Sequence, residues 1–516
     1  MARLDEFGFK DDPKSPAYIG AKISGLSGGW KMKLALCRAI LMNADIMLLD
    51  EPTNHLDVKN VAWLENFLCS QKDKTSLIIT HDSGFLDRVV THIIHYEDNR
   101  KLKNYKGNLS AFVKRVPRAK TYYELSDENL SFTFPEPGLL DGIKSKGKAI
   151  IKMENCTFTY PGKKDPTVRN ITLQASLSSR VAVIGPNGAG KSTIIKIFCN
   201  EMKPQTGTVW RHQNMRIAYV AQHAFHHIEA HLDETPNEYI QWRYSSGEDR
   251  EAMQQEGSKL TKEEEAEMQK VHVIRKEDGT VEKRVVEALR SRRKNKRSYE
   301  YEVKWLNKSD EHNTWISREK LEEMGWSKMV QRLDQQEALR LGLAARPLTQ
   351  KFVEQQLVNM GLEAEFATHS RIRGLSGGQK VKVVIAGAMW NNPHILVMDE
   401  PTNYLDRDSL GALAGAIRKY GGGVALISHN REFTEALCPE RWVVEDGQLK
   451  REGDVAPDEK IDLDANQAPD EVMDSLGNVI KVKKEKKLTA RELKKLEKKK
   501  AERRAKGLPS DSDEDW

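Results

Sequence analysis

Residues 185–193 read GPNGAGKST and have the spacing of a phosphate-binding loop, GxxxxGK[ST]. The apolar run 180–184 predicts a buried strand that enters the loop, and the run 193–198 predicts a helix that leaves it. Glycines let backbone N–H groups surround phosphate oxygens, and the helix N-terminus adds a favourable dipole. Lys191 would reach the β- and γ-phosphates, and the Ser192 hydroxyl would ligate Mg²⁺. The residues predicted to contact the nucleotide here are Gly185, Pro186, Asn187, Gly188, Ala189, Gly190, Lys191, Ser192 and Thr193.

A set of three motifs occurs twice along the chain. The first copy comprises GLSGGWK (25–31), IMLLDEPTNHLD (46–57) and ITHD (79–82), and the second comprises GLSGGQK (374–380), ILVMDEPTNYLD (395–406) and ISHN (427–430). The spacing also agrees, because 23 positions separate Ser27 from Asp50 and Ser376 from Asp399. Agreement in composition, order and spacing indicates an internal duplication.

Two adjacent carboxylates, Asp399 and Glu400, follow the apolar run 395–398. Because this run predicts a strand, both carboxylates can project into one crevice at the end of a sheet. Hydrolysis of a phosphoanhydride needs a phosphate cradle, a metal-binding carboxylate, a group that orients water and a contact to the γ-phosphate. The sequence therefore favours phosphoryl transfer to water.

Together these motifs resemble those of ATP-binding cassette domains. The resemblance implies a role for each matching residue. Asp399 would hold the Mg²⁺ shell, and Glu400 would polarise the attacking water. His429 would contact the γ-phosphate, and Gln222 would sense it and join the metal shell. Tyr160, in FTYPGKK, would stack on adenine. The implied cofactors are ATP and Mg²⁺, and the implied activity is ATP hydrolysis.

In this family two cassettes close on each other, and the signature loop of one covers the nucleotide held by the other. The resemblance implies that Ser27, Gly28 and Gly29 close on the ATP at Lys191, with Asp57 beside them. Trp30 stands where the family usually has Gln, which places that one side-chain contact in doubt. The second signature loop comprises Ser376, Gly377 and Gly378.

The first cassette has no phosphate loop of its own in this sequence. Only 26 residues precede Ser27, whereas Lys191 precedes Ser376 by 185. Asp50, Glu51 and His81 would then face no nucleotide of their own. We expect a fragment of a longer protein rather than a naturally halved one, and a chain that is poorly stable alone because half a cassette core is exposed.

A long stretch of 153 residues lies between Gln222 and Ser376, more than a cassette needs. It predicts a hairpin (271–274 and 280–289, with a D-G turn), a strand at 299–306, a short strand at 313–316, and a helix at 317–340 with Ser317 as its N-cap. A small sheet with one terminal helix resembles a chromodomain. Core packing is the simplest interpretation of its aromatic residues, and a methyl-lysine cage is disfavoured because basic residues lie beside the strand.

The combination of two cassettes, this insertion and a Lys-rich tail ending in SDSDEDW resembles the fungal-type translation elongation factor 3 family. The resemblance implies a cytoplasmic, ribosome-associated ATPase that promotes elongation and release of deacylated tRNA from the E site. Ribosomal RNA and tRNA would be partners, with an aminoacyl-tRNA-delivering elongation factor at the basic tail. Clustered cations bind RNA, and the predicted RNA-binding residues are Arg290, Arg292, Arg293, Lys294, Lys296 and Arg297.

The composition excludes other classes. The 516 residues carry a net charge of +6, and the longest apolar run is eight residues, whereas a spanning helix needs about 20. The N-terminus has no secretory signal, and five scattered cysteines argue against disulfides or a zinc site. Charge is unevenly distributed: residues 100–120 carry eight basic residues and no acid, and 481–506 carry a net +10.

We therefore predict an α/β fold of tandem ATP-binding cassette domains, the first incomplete, with a small chromodomain-like insertion in the second. The predicted segments are the first cassette (1–115), a linker (116–148), the second cassette (149–235 and 346–453), the insertion (236–345) and a charged, disordered tail (454–516). Three other functions stay open: the ATPase of a membrane transporter, a chromatin or DNA-repair ATPase, and a fragment deficient in hydrolysis.

Overall fold

The structure is a computed structural model with two compact units, residues 1–460 and 461–516. The residues that it describes are 4–5, 7–12, 15, 18–20, 22–23, 26, 28–53, 56, 58–97, 100–117, 119, 130–163, 165–221, 227–254, 265–266, 268–275, 281–295, 298–343, 347–402, 405–428, 430–454, 471–473 and 479–481.

The first cassette is built from short helices and two separate pairs of strands. Its elements are α1 (Gly28–Leu41), β1 (Ile46–Asp50), α2 (Val58–Ser70), β2 (Thr75–Ile79), α3 (Ser83–Val89), β3 (His92–Tyr96), β4 (Leu102–Lys106) and α4 (Leu109–Arg115). β1 and β2 pair in parallel, and β3 and β4 pair antiparallel. Among the residues that the structure describes, one face of the β1–β2 pair is covered, by a core that includes Leu36, Leu49, Leu64 and Phe85.

The strands of the second cassette form two sheets. The strands and the helix at the phosphate loop are β5 (Ala149–Phe158), β6 (Val168–Ser176), β7 (Arg180–Ile184), α5 (Lys191–Phe198), β8 (Thr206–Arg211) and β9 (Ile217–Val220). β5 lies between β6 and β8 in an antiparallel sheet. β7 and β9 join a larger parallel sheet, and the apolar residues of β7 are buried there, as the run 180–184 predicted.

Two helices that follow β9 are α6 (Pro236–Tyr244) and α7 (Arg250–Gln254). Helix α6 starts with a capping box, in which Thr235 and Glu238 bond each other's backbone N–H. Its residues Tyr239 and Ile240 are buried in the hydrophobic core of the second cassette. Helix α6, which the prediction assigns to the insertion, therefore packs with the cassette, and the boundary at residue 236 stays a prediction.

The insertion has its own core. Its elements are β10 (His272–Arg275), β11 (Val281–Arg284), β12 (Val286–Asn295), β13 (Ser298–Trp305), β14 (Thr314–Ser317), α8 (Arg318–Glu323) and α9 (Ser327–Leu343). β10 and β11 form the predicted hairpin, and β12, β13 and β14 form an antiparallel sheet. Tyr301 and Trp305 are fully buried in the core of this module, which confirms the packing interpretation of these aromatic residues.

Two boundaries within the insertion differ from the prediction. The strand expected at 280–289 is divided at Val285, and its second part continues through the basic run as β12. The helix expected at 317–340 is broken between α8 and α9, where Gly325 has φ of +84°. Gly325 N–H donates to Glu322 O and Trp326 N–H donates to Leu321 O, which is the Schellman arrangement that ends a helix.

The remaining elements complete the second cassette. They are α10 (Gln350–Asn359), α11 (Ala364–Thr368), α12 (Gly377–Ala388), β15 (Ile395–Asp399), α13 (Arg407–Lys419), β16 (Gly423–Ile427), α14 (Arg431–Leu437), β17 (Glu440–Glu445) and β18 (Gln448–Gly453). The strand order in the larger sheet is β18-β17-β7-β16-β15-β9, and β18 is the one antiparallel member. β15 and β16 are buried along their whole length. Because the paired strands run in the same direction, their carboxyl ends meet at one edge of the sheet.

Part of the predicted linker packs on the second cassette. Its described part, 130–148, packs on the second cassette through Phe132 and Phe134, and Thr133 N–H donates to Asn359 O. The second unit is described only at β19 (Glu471–Met473) and β20 (Val479–Lys481), which pair antiparallel. The rest of the tail predicted to be disordered lies outside the described residues.

None of the helices in the described ranges combines the length and the apolar character needed to span a membrane. Within the same ranges, all five cysteines are free thiols.

Candidate nucleotide-binding site

The phosphate loop connects β7 to α5 at the carboxyl edge of the main sheet. Gly185 has φ of +151°, and a Cβ there would lie 2.1 Å from Val444 O. Gly190 has φ of +105°, and a Cβ there would lie 2.8 Å from the Val168 side chain. Gly188 also has positive φ, but nothing lies within 4 Å of its Cβ position. The glycines thus leave an open concave backbone that side chains would strain or fill.

Lys191 is the first residue of α5, and its side chain is turned toward the loop. Its Nζ donates to Gly185 O at 2.9 Å and to Pro186 O at 3.1 Å, and the residue is buried. An ammonium group held above the loop in this way lies where phosphate oxygens would bind. Phosphate binding by this loop, which also includes Asn187 and Ala189, stays a prediction that this position of Lys191 supports.

Asp399 ends β15 and is 3% exposed. Burial raises the pKa of its carboxyl to about 6, and a hydrogen bond from Ser192 together with the charges of Lys191 and Lys196 opposes that increase. A buried carboxylate next to a serine hydroxyl is an oxygen donor set that suits Mg²⁺. A bound cation would also favour the ionised carboxylate, so the residues present fit the predicted metal.

Glu400 directly follows Asp399, and its backbone has an unusual conformation. Its φ is +54°, its N–H donates to Ile427 O at 2.8 Å, and the residue is buried. Glu51 in the first cassette has φ of +46° and donates to Ile79 O, also at 2.8 Å. Left-handed backbone is uncommon for glutamate, so its occurrence at both equivalent positions points to a geometry required by the motif.

Tyr160 lies beside the phosphate-loop helix. Its hydroxyl is 3.3 Å from Thr193 Oγ1, and its ring packs edge-to-face on Phe158. This places the predicted adenine-stacking residue next to the site, and stacking itself stays a prediction. Four further predicted site residues, Ser27, Asp57, Gln222 and His429, lie outside the described residues.

One known protein family matches most of the two cassettes. The family described as ABC transporter matches residues 2–54 and 168–403, which together are more than half of the chain. The chain belongs to this family. It is an ATP-binding cassette protein with an α/β fold, as the motifs predicted.

Two curated relatives cover most of this cassette protein. An elongation factor 3 of Phytophthora infestans (strain T30-4) is 58% identical over 468 residues, which are 90% of this chain and 44% of the relative. An mRNA export factor elf1 of Schizosaccharomyces pombe (strain 972 / ATCC 24843) is 54% identical over 443 residues, 85% of this chain and 41% of the relative. The predicted likeness to elongation factor 3 is confirmed, and the chain spans less than half of the length of these relatives.

One solved structure shows the same fold at low sequence identity. It is described as a model of ribosome-bound archaeal Pelota and ABCE1, with a TM-score of 0.51 and 17% identity. It covers 98% of this chain, and this chain covers 66% of it.

Both signature loops of the cassette protein lead into a helix. Ser376 caps α12, and its Oγ accepts from Gln379 N–H while the Gln379 side chain accepts from Ser376 N–H. Gly377 and Gly378 form the first turn of this helix. In the first loop Gly28 and Gly29 also begin a helix, α1.

Trp30 occupies the position of Gln379 in the first loop. Its ring packs edge-to-face on Phe9 at 5.1 Å between centroids, and Lys33 Nζ lies 3.9 Å from its centre. An indole cannot accept the backbone hydrogen bond that Gln379 accepts. The substitution therefore exchanges a polar capping contact for packing in the first cassette's core.

A contact between the two cassettes was not anticipated from the motifs. Ser83 Oγ, at the start of α3, lies 3.4 Å from Glu432 Oε2 in α14. Arg407 Nη2, at the start of α13, donates to Glu432 Oε1 at 2.6 Å. Ser83 and Arg407 directly follow ITHD and EPTNYLD, and Glu432 lies two positions after ISHN, so their proximity to the motifs was the available signal. The Ser83–Glu432 contact joins the segments that follow ITHD in the first cassette and ISHN in the second.

The predicted RNA-binding residues are engaged to different degrees. The structure corrects the predicted RNA contact of Arg292, because this side chain is 5% exposed and pairs with the buried Asp334. Arg293 pairs with Glu300, and Lys294 pairs with Asp141 at 3.1 Å, but these cations are about half exposed. Arg290 is half exposed as well, with Asp310 4.0 Å away. Lys296 and Arg297 lie outside the described residues.

Proposed function

We propose that this chain binds ATP with Mg²⁺ at the second cassette and hydrolyses it. The observation that carries the proposal is the convergence of Lys191, Ser192, Asp399 and Glu400 at the carboxyl edge of one sheet. Such an arrangement combines a phosphate cradle, a metal-binding pair and a carboxylate for the attacking water.

In the proposed reaction each residue has one task. Lys191 and the loop N–H groups neutralise the β- and γ-phosphates. Ser192 and Asp399 would hold Mg²⁺, which supplies charge compensation between the two phosphates. Glu400 orients a water molecule toward the γ-phosphorus and accepts a proton from it as it attacks. Attack forms the new P–O bond as the β–γ bridging bond breaks, and ADP and inorganic phosphate leave.

The first cassette would complete this site in the closed state. We infer that Ser27, Gly28, Gly29 and Asp57 approach the γ-phosphate from the opposite side, with Gln222 and His429 contributing from the second cassette. The Ser83–Glu432 contact supports an arrangement in which the two cassettes already meet near their γ-phosphate segments. ATP would favour closure, and hydrolysis would release it.

We further propose that this ATPase acts on the ribosome as an elongation factor and promotes exit of deacylated tRNA from the E site. The support is 58% identity to a protein named elongation factor 3. In this proposal ribosomal RNA and tRNA are partners, and the basic tail contacts an aminoacyl-tRNA-delivering factor.

The direct test is ATP turnover by the purified chain with ribosomes, with duplex DNA and alone. Ribosomes should stimulate turnover, duplex DNA should not, and Glu400→Gln should abolish the stimulated rate. Stimulation by DNA alone would instead support a chromatin or repair function. No turnover under any condition would indicate a fragment deficient in hydrolysis.

A second candidate function is mRNA export, because a relative at 54% identity is named an mRNA export factor. The two functions differ in the RNA that should stimulate ATP turnover. Polyadenylated RNA without ribosomes should be sufficient for an export factor, whereas an elongation factor should respond to the assembled ribosome.

The exposed cations of the insertion provide a test of RNA contact. Combined Arg290→Gln, Arg293→Gln and Lys294→Gln substitutions should weaken ribosome binding and reduce its salt dependence, since each lost phosphate contact lowers the slope of log K against log salt by about 0.7–0.9. Arg340→Gln is the matched control, because Arg340 is an exposed cation of the same module outside this run. An unchanged slope in the triple variant would exclude the RNA role.

A further inference from the structure

A cavity of about 990 Å³ lies between the second cassette and the insertion. The cassette contributes β8, β9 and the segment after α6 to its walls, and the insertion contributes α8 and α9. This volume is in the range of small-molecule sites, which commonly form where two folded modules meet. It lies apart from the exposed opening of the phosphate loop and is not used by the proposed reaction.

Five of the six carboxylates in the cavity wall pair with arginines, and the sixth, Glu319, accepts a hydrogen bond from Ser298. Asp249 and Glu251 pair with Arg243, and Glu248 pairs with Arg332. The same holds on the insertion side, where Asp334 and Glu322 pair with Arg318. Glu251 also pairs with His227, but within the described ranges none of these carboxylates pairs with Arg211 or Arg216.

Two arginines in the wall differ, because neither contacts a carboxylate in the part of the chain that the structure describes. Arg211 donates to Ile197 O, Phe198 O and Asn200 Oδ1. Burial lowers the pKa of its guanidinium to about 10. The partial negative charge of the last carbonyls of α5 offsets only part of a full cation.

Arg216 lies where the cassette meets the insertion, and it also contacts no carboxylate among the described residues. Its nitrogens donate to Asn392 O in the cassette and to Ala338 O in α9. Burial lowers its pKa to about 10 as well. A guanidinium has five N–H groups, so each terminal nitrogen of Arg216 keeps one further donor beyond these bonds.

We propose that this cavity binds a small molecule bearing a phosphate-type oxyanion, held by Arg211 and Arg216. Planar guanidinium groups match the oxygens of phosphate, and a bound anion would supply the counter-charge that the protein does not provide. Polar ligand atoms could also satisfy Asn391 Oδ1 and His227 Nε2, which are buried in cavity-lining residues and have no hydrogen-bond partner among the described residues.

Because the cavity lies between the cassette and the insertion, a ligand bound there would affect how the two are held together. Helix α9 carries Val330 and Leu333 in the core of the insertion and Leu339 in the core of the cassette. Arg216 bonds this same helix, and Arg211 bonds the end of α5, which begins at the phosphate loop. An occupied cavity would therefore fix the insertion to the cassette and link it to the nucleotide-binding helix.

Equilibrium dialysis of the full chain with radiolabelled inorganic phosphate tests the proposal. The phosphate loop is removed as a competing site in two ways, by Lys191→Ala and by saturating the wild-type chain with a non-hydrolysable ATP analogue and Mg²⁺. Both preparations should bind one phosphate per chain. Arg216→Lys keeps the charge but loses the fork, and it should weaken binding at least tenfold.

A second pair of variants does not depend on the buried arginines. Gln335 lines the cavity and is exposed, so its substitution should not disturb folding. Gln335→Glu should weaken phosphate binding about threefold, and Gln335→Lys should tighten it by a similar factor. The proposal is overturned if no saturable binding remains once the phosphate loop is blocked, or if the two Gln335 variants bind phosphate equally.

Discussion

The two cassettes contain nearly the same strands in different surroundings. Ile46 and Ile395 begin equivalent strands, yet Ile46 is 63% exposed and Ile395 is 1% exposed. Ile79 and Ile427 end the next equivalent strands at 59% and 1%. The reason is the sheet: β15 and β16 lie among six strands, whereas β1 and β2 pair only with each other among the described residues. Burial thus depends on neighbours that the motif does not contain.

Hydrogen bonds within the motifs are repeated despite this difference. Thr53 Oγ1 lies 3.3 Å from Thr80 Oγ1, and the equivalent Thr402 Oγ1 lies 3.1 Å from Ser428 Oγ. The glutamates after the two strands share left-handed backbone and the same hydrogen bond. Motif geometry is therefore set locally, while the electrostatic environment of the carboxylates is set by the rest of the sheet.

The largest difference between the two cassettes should appear in how much equivalent substitutions lower the free energy of unfolding. Ile395→Ala should lower the free energy of unfolding by about 3 kcal/mol, because it leaves a cavity in a closed core. Ile46→Ala should change it by no more than about 0.5 kcal/mol, since the side chain is mostly in water. Denaturant titration of both variants measures the contrast, and Ile427→Ala with Ile79→Ala repeats it. Equal losses in the first pair would show that β1 is covered in solution.

The next largest difference between the cassettes concerns the pH dependence of the free energy of unfolding. Burial raises the pKa of Asp399 from 3.8 to about 6, so the folded chain binds this proton more tightly than the unfolded chain does. That contribution to stability is complete below pH 4 and is lost as the pH rises through 6, by about 2–3 kcal/mol. Asp399→Asn should flatten the profile over this window.

Asp50→Asn is the matched control for that profile, because Asp50 is exposed at the end of β1. The free energy of unfolding should be measured from pH 4 to pH 7 in both variants. A wild-type profile in Asp399→Asn would mean that this carboxyl is hydrated rather than buried.

The smallest difference is expected where the geometry is repeated. Asp82 accepts from Phe85 N–H at 2.9 Å to cap α3, and Asn430 accepts from Phe433 N–H at 3.0 Å to cap α14. Asp82→Ala and Asn430→Ala should each cost about 1 kcal/mol. Thermal unfolding should show equal decreases, and a cost confined to one cassette would contradict the local origin of the motif geometry.

Sequence reasoning succeeded where structure is determined over short distances. The strand, loop and helix around Lys191 lie where the pattern placed them, and so do β13 and β14 of the insertion to within one residue. Gly325 could also have been recognised as the end of a helix from the sequence. Residues that depend on distant partners could not be assigned: Arg292 is buried because Asp334, 42 positions away, pairs with it.

The same limit applies to the cassette boundaries. The sequence of helix α6 shows no distinct apolar face, and only its packing on α10 and α12 places it with the cassette. The Ser83–Glu432 contact joins residues 349 positions apart, which no local pattern specifies.

The central claim is that this chain holds ATP at the second cassette. It is tested most directly by counting the ATP retained after rapid gel filtration in Mg²⁺. Glu400→Gln should retain one ATP per chain without hydrolysing it, and Glu400→Gln combined with Lys191→Ala should retain none. Glu51→Gln should hydrolyse ATP at the wild-type rate. Normal turnover by Glu400→Gln, or retention that survives the loss of Lys191, would contradict the account.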